Sequence, residues 1–296
     1  MKAKMIKQLM FFESEPDKGF NFGYFLSIRT LNNNKLKFIV ECNNAGSNNN
    51  IQETERKTRR KIENAQDVSI CLQNYLSDSV VLVPAFLRPG TEKRDINTYS
   101  LTSMALKTDR EDIKRIDRQL LCMINDAKEF LKKQGYSYDE QIILTGYSAS
   151  AKFAQRFAFL YPEEVQMVIA GGMSATLCLP VSEYKGCKLN YPLGTNDYEK
   201  IVGKKFDEKQ FSRIKQYFFL GSLDTNDPVP FPDNYTDDER NVINKIFGKD
   251  MQNDRWPKML QILEELKLGN ITCIKIDGEG HEIKGMMGWL FDNVFK

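Results

Sequence analysis

The chain has 296 residues, of which 41% are hydrophobic, 11% aromatic and 28% charged, the make-up of a soluble globular protein with apolar side chains enough for a sizeable core. Its 42 basic and 40 acidic side chains leave a formal net charge of +2, so no global field selects nucleic acid or an anionic membrane as a partner. The length admits one large α/β domain or two ordinary ones, and the uninterrupted run of elements below, without repeats or low-complexity linkers, favours one domain over residues 1–296.

Lys2, Lys4 and Lys7 precede an apolar run, Leu9 to Phe12, that is far too short for a signal-peptide core or a membrane span. A cytoplasmic location is the resulting expectation. Short apolar runs predict strands over Gly23–Arg29 and Leu36–Glu41. A helix follows from about Ile51 to Leu76, carrying the basic stretch "ERKTRRK" at Glu55–Lys61 on what reads as a solvated face rather than an anion site. After a strand at Val80–Pro84, apolar residues at Ile113, Ile116, Leu120, Leu121, Ile124, Ala127 and Leu131 predict an amphipathic helix over Glu111–Gln134, ended by Gly135.

The second half continues the alternation. Strands are expected at Gln141–Thr145, Gln166–Ala170, Gln216–Leu220 and Asn270–Ile276, with helices at Ser150–Leu160, Trp256–Leu266 and Ile283–Phe295. Near-continuous hydrophobic strands separated by helices imply an α/β fold with a mostly parallel sheet covered on both faces. Two stretches rich in Pro, Gly, Asn, Asp and Tyr, about 179–213 and 227–255, break the pattern on the C-terminal side of strands, where ligands bind in such sheets; they are expected to form a lid, surface decoration being the alternative. Cys42, Cys71, Cys122, Cys178, Cys187 and Cys273 form no CxxC pair and read as reduced core residues.

Between the strand ending at Thr145 and the helix starting at Ser150 lies "GYSAS", Gly146 to Ser150. A G-x-S-x-G turn in this context lifts its serine onto a strained bend with the hydroxyl exposed above the sheet. Here serine replaces the last glycine, a position whose requirement is small size. Ser148 is therefore the candidate nucleophile, and a serine hydroxyl needs a base held by a carboxylate. The only histidine, His281, lies in "DGEGHEIKG" directly after the last strand. One known chain order places the acid between serine and histidine, and "FFLGSLDTNDPVP" supplies Asp224 at a strand end. Asp227 is the competing acid, disfavoured because it precedes Pro228 and suits a turn.

"GYSAS", "GSLD" and "GEGH" in this order resemble the α/β-hydrolase superfamily. "VECNNAG" at Val40–Gly46, "VLVPAFLRP" at Val81–Pro89, "RIDRQLLCMINDA" at Arg115–Ala127, "GYSASAKFAQRFAFLYPEEV" at Gly146–Val165 and "GSLDTNDPVP" at Gly221–Pro230 are similar to bacterial esterases related to polyhydroxyalkanoate depolymerases and feruloyl esterases. The likeness runs from about Leu36 to the C-terminus. It implies an α/β-hydrolase fold, ester cleavage through an acyl-enzyme, no cofactor and no metal. It also implies an oxyanion hole built from the Ala149 N–H and a second N–H in the loop after the third strand, from Asn44 or Ala45. The expected partner is a small-molecule ester, with no nucleic acid and no membrane. Tyr147, Phe86, Phe231 and Trp256 are candidates for the substrate pocket, with core packing the favoured role for each. A non-catalytic binding protein and an acyltransferase with the same residues are the competing functions.

Overall fold

Strands buried on both faces must find sheet partners on both edges and helices above and below, and that requirement organises this chain. The computed structural model describes residues 6–31, 35–90 and 96–295. The strands are β1 (Ile6–Phe12), β2 (Tyr24–Thr30), β3 (Lys37–Glu41), β4 (Ser79–Pro84), β5 (Ile142–Tyr147), β6 (Val165–Gly171), β7 (Glu183–Tyr184), β8 (Cys187–Lys188), β9 (Lys215–Gly221) and β10 (Ile271–Ile276). The helices are α1 (Ile51–Glu63), α2 (Val68–Tyr75), α3 (Ser103–Lys107), α4 (Ile116–Lys133), α5 (Ala149–Leu160), α6 (Tyr198–Val202), α7 (Glu208–Phe211), α8 (Asp237–Ile246), α9 (Trp256–Glu265) and α10 (Lys284–Asn293).

Eight strands form one sheet in the order β1-β2-β4-β3-β5-β6-β9-β10, with β2 antiparallel to both neighbours and every later pairing parallel. The β7–β8 hairpin stands apart. Alternate residues on each strand serve opposite faces: Val40, Leu82 and Leu144 meet α4, α5 and α9, whereas Ile39, Val81 and Ile143 meet α1, α2 and α10. From β3 the chain crosses to β4 on one side, and from β5 it crosses to β6 on the other. The gap between β3 and β5 is thus the topological switch point, above which such sheets bind ligands.

Three expectations need correction. The single helix over Ile51–Leu76 is two helices, α1 and α2, because Ala65 takes a left-handed conformation (φ 51°) between them. The helix expected from Glu111 starts at Ile116, since Arg115 is left-handed at φ 47°. Of the six cysteines, all free, Cys42, Cys178 and Cys187 are buried, but Cys71, Cys122 and Cys273 are only half-buried. The N-terminal run around Leu9 belongs to an edge strand, β1. No helix among the described residues is long and apolar enough to cross a membrane.

Candidate active site

Ser148 stands between β5 and α5 with φ 64° and ψ −119°, a conformation that side chains other than glycine rarely take. Local contacts enforce it. The Ser148 N–H donates to Gly171 O on β6 at 2.8 Å, fixing the bend to the sheet. Gly146 is needed because the returning helix passes so close that a Cβ there would meet Ser150 O at 2.4 Å. Ser150, where the motif usually has glycine, braces the turn: its hydroxyl accepts from Tyr147 N–H and donates to Tyr147 O, both at 2.9 Å.

The loops after β9 and β10 meet beside this bend. Gly221 lets them touch, since a Cβ there would lie 2.3 Å from Gly280 O and 2.4 Å from Glu279 O. Leu223 N–H donates to Glu279 O, and Gly278 N–H to the Ser222 hydroxyl. These ties bring Asp224, whose side chain is fully buried, to His281: Nδ1 donates to Asp224 Oδ2 at 2.8 Å, and the other oxygen, Oδ1, accepts from Asn226 N–H at 2.8 Å. The imidazole rests over Gly172, where a Cβ would meet its Cε1 at 2.7 Å, and 4.9 Å from the Tyr147 ring. Burial, followed by the charge of Asp224, pushes the Tyr147 phenol upward, so it stays protonated. Asp227 faces elsewhere, with Oδ2 2.6 Å from the guanidinium of the buried Arg255.

With Nδ1 protonated toward Asp224, Nε2 is the acceptor, and the amide of Asn226 donates to it at 3.0 Å. Among the described residues the Ser148 hydroxyl makes no hydrogen bond. Ser148, Ala149, Gly172 and Asn226 line a cavity of about 290 Å³ together with Asn44, Arg88, Asn97 and Lys152 and with Pro228, Phe231, Asp233 and Asn234 from the second excursion. Ala149 opens α5, so its N–H has no acceptor inside the helix. Asn44 belongs to the loop after β3, and its side-chain amide reaches Tyr147 O at 3.4 Å. No group of three or more His, Cys, Asp or Glu side chains among the described residues is arranged to hold a metal ion.

No protein-family model matches the chain, and no curated protein matches it. Solved structures do. Poly(aspartic acid) hydrolase-1 from Sphingomonas sp. KT-1 is 16% identical with both chains covered in full, at a TM-score of 0.53. A poly(3-hydroxybutyrate) depolymerase from Bordetella parapertussis is 13% identical over 99% of this chain and 89% of that one, also at 0.53. A ferulic acid esterase is 11% identical over 98% and 96%, at 0.50. The fold is that of the α/β-hydrolases. At such identities the likeness carries the architecture and no substrate.

Within this α/β-hydrolase fold, the sequence-derived residues separate into two groups. Ser148, Ala149, Asn44 and Phe231 line the cavity, and His281, Asp224 and Tyr147 are gathered at its edge. Phe231 is 57% exposed and forms the rim. Ala45 is buried against the Tyr99 phenol and does not line the cavity. Phe86 and Trp256 are core side chains, not pocket walls: Phe86 packs between the rings of Phe22 and Phe153, and Trp256 is buried under the ammonium of Lys275. Of the two excursions, only the second reaches the cavity. The first buries Tyr191 and Tyr198 against the core and borders a separate cavity with Arg115. Sequence reasoning missed Asn226, Arg88, Asn97, Lys152 and Asn234.

Proposed function

We propose that the chain is a serine hydrolase that cleaves a small ester through an acyl-enzyme. The observation that carries this reading is the His281–Asp224 bond, standing beside a serine on a strained strand-to-helix bend. Ser148 Oγ attacks the acyl carbon while Nε2 of His281 takes its proton. Asp224 keeps the imidazole in the tautomer that leaves Nε2 free to accept, and stabilises the imidazolium that forms. The N–H of Ala149 and one from the loop after β3, with Asn44 the residue at the cavity, meet the charge on the carbonyl oxygen, each worth about 3 kcal/mol in the transition state. Collapse expels the alcohol, which leaves with the proton from Nε2. A water molecule, deprotonated by the same nitrogen, then releases the acid and restores Ser148. The same sequence of steps serves a thioester or an amide.

In the resting arrangement Nε2 is engaged by Asn226, so that bond must open before the base serves Ser148. This favours one second reading, a binding protein on the same fold whose histidine is permanently occupied. A fluorophosphonate probe distinguishes them: labelling of the wild type that is lost in Ser148→Ala supports the hydrolase, and an unlabelled wild type ends it. Activity on short and long p-nitrophenyl esters then measures the acyl chain that the cavity admits.

A further inference from the structure

We propose that Lys152 and Arg88 make this cavity a receptor for esters bearing a free carboxylate, the acid group docking on the two basic side chains while the ester carbonyl lies at Ser148. The inference rests on the hydrolase reading and adds the substrate class to it.

Lys152 sits on α5, one turn beyond Ser148, and this buried residue lines the cavity. Its acceptor is neutral, Asn234 Oδ1 at 2.7 Å, although an ammonium carries three donors. Among the described residues no carboxylate lies within ion-pairing distance of it. The charged and titratable groups around it are Arg156 on its own helix, Arg88 after β4, and Asp227, Asp233 and Tyr235 from the second excursion. Both acids are committed, Asp233 to Arg88 at 2.6 Å and to the Asn234 amide at 2.9 Å, and Asp227 to Arg255.

A buried cation without a counter-charge is costly. Burial, then repulsion from Arg156, holds Lys152 well below its ordinary value. Asn234 Oδ1 also accepts from the Asn97 amide at 3.1 Å, so it does not depend on Lys152 for a donor. Beside it, the buried Nε of Arg88 has no acceptor. Two basic side chains with unused donors thus line one small polar cavity, and a carboxylate there would supply acceptors to both. Its charge would also draw a proton onto Lys152.

The test compares kcat/KM for the mono-p-nitrophenyl ester of adipate with that of its methyl-capped form, and for 4-acetoxybenzoate with its methyl ester. The first pair puts the acid in the acyl part, the second in the alcohol part. The free acid is expected to be favoured in at least one pair by about tenfold or more, the worth of a hydrogen bond to a charged group. In Lys152→Met that ratio falls toward one through a raised KM for the acid. Equal rates within both pairs overturn the proposal. Titration of Ser148→Ala with adipate, in two buffers of different ionisation heat, should show binding with proton uptake that Lys152→Met loses; no binding overturns it without reference to turnover. If adipate binds but the wild type takes no fluorophosphonate, the hydrolase reading fails and the acid receptor stands.

Discussion

The carboxylates of Asp224 and Asp227, three residues apart, face different partners: Asp224 Oδ2 accepts from His281 Nδ1 at 2.8 Å, and Asp227 Oδ2 lies 2.6 Å from the Arg255 guanidinium. The two asparagine substitutions should therefore fail in different ways. Asp224→Asn presents the wrong tautomer to Ser148, and kcat should fall by about three to four orders of magnitude with little change in unfolding midpoint. Asp227→Asn strands a buried guanidinium, and stability should fall by about 2–3 kcal/mol, less than for a fully buried pair because Asp227 is partly exposed. Urea melts and esterase assays on both variants check this; a larger rate loss in Asp227→Asn would reverse the assignment.

Asn226 holds His281 Nε2, the nitrogen that would take the serine proton in the proposed mechanism. Asn226→Ala removes one hydrogen bond from the resting state, worth about 1 kcal/mol, so fluorophosphonate labelling should speed up by roughly fivefold. Slower labelling would instead give Asn226 a role in holding the transition state.

Gly172 is the floor under His281. Its φ is 65°, and an added Cβ would meet His281 Cε1 at 2.7 Å and Tyr147 Cε1 at 2.8 Å. Gly172→Ala should push the imidazole off its place and cost about a hundredfold or more in kcat, as small misplacements of reacting groups do. Wild-type turnover from a folded Gly172→Ala protein would mean that the ring works from another position.

Glu41 ends β3 fully buried, accepting from the Thr145 hydroxyl at 2.6 Å and from Ser69 N–H at 2.9 Å. Burial, with the charge of Asp67 adding to it, pushes its carboxyl from 4.5 up to about 7. Between those values the folded protein keeps a proton that the unfolded chain releases. Stability should therefore decline as pH rises from 4.5 to 7 and lose no more to this group above that window. Denaturation of Glu41→Gln across the same range should lack this component; an identical slope in both proteins would remove Glu41 from the account.

The interior strands were legible because each is buried on both faces and so reads as a continuous apolar run. β3 matches the expected Leu36–Glu41 to within one residue, and β9 the expected Gln216–Leu220. β1 was missed because an edge strand tolerates Lys7 and Gln8. The break at Ala65 has no glycine or proline to announce it. Helix α8 did carry a signal that was overlooked, Thr236 and Glu239 three apart in a reciprocal cap. At the site, Ser148, Asp224 and His281 could be found because each follows the C-terminal end of a strand. Arg88 and Asn97, Lys152, and Asn234 come from three segments that meet only in three dimensions, so no local pattern links them. Aromatic character alone does not separate a pocket wall from the core; Phe86 and Trp256 took the core role favoured for them, and Phe231 the rim.

The β3–β5 pairing joins Ile39 to Ile143 and Val40 to Leu144, across about a hundred residues of chain. Asn44 and Ser148 face one another only once that seam has closed. On the hydrolase reading, activity should therefore be a late reporter of refolding: helical signal should return first, and turnover should lag until this distant loop closure is complete.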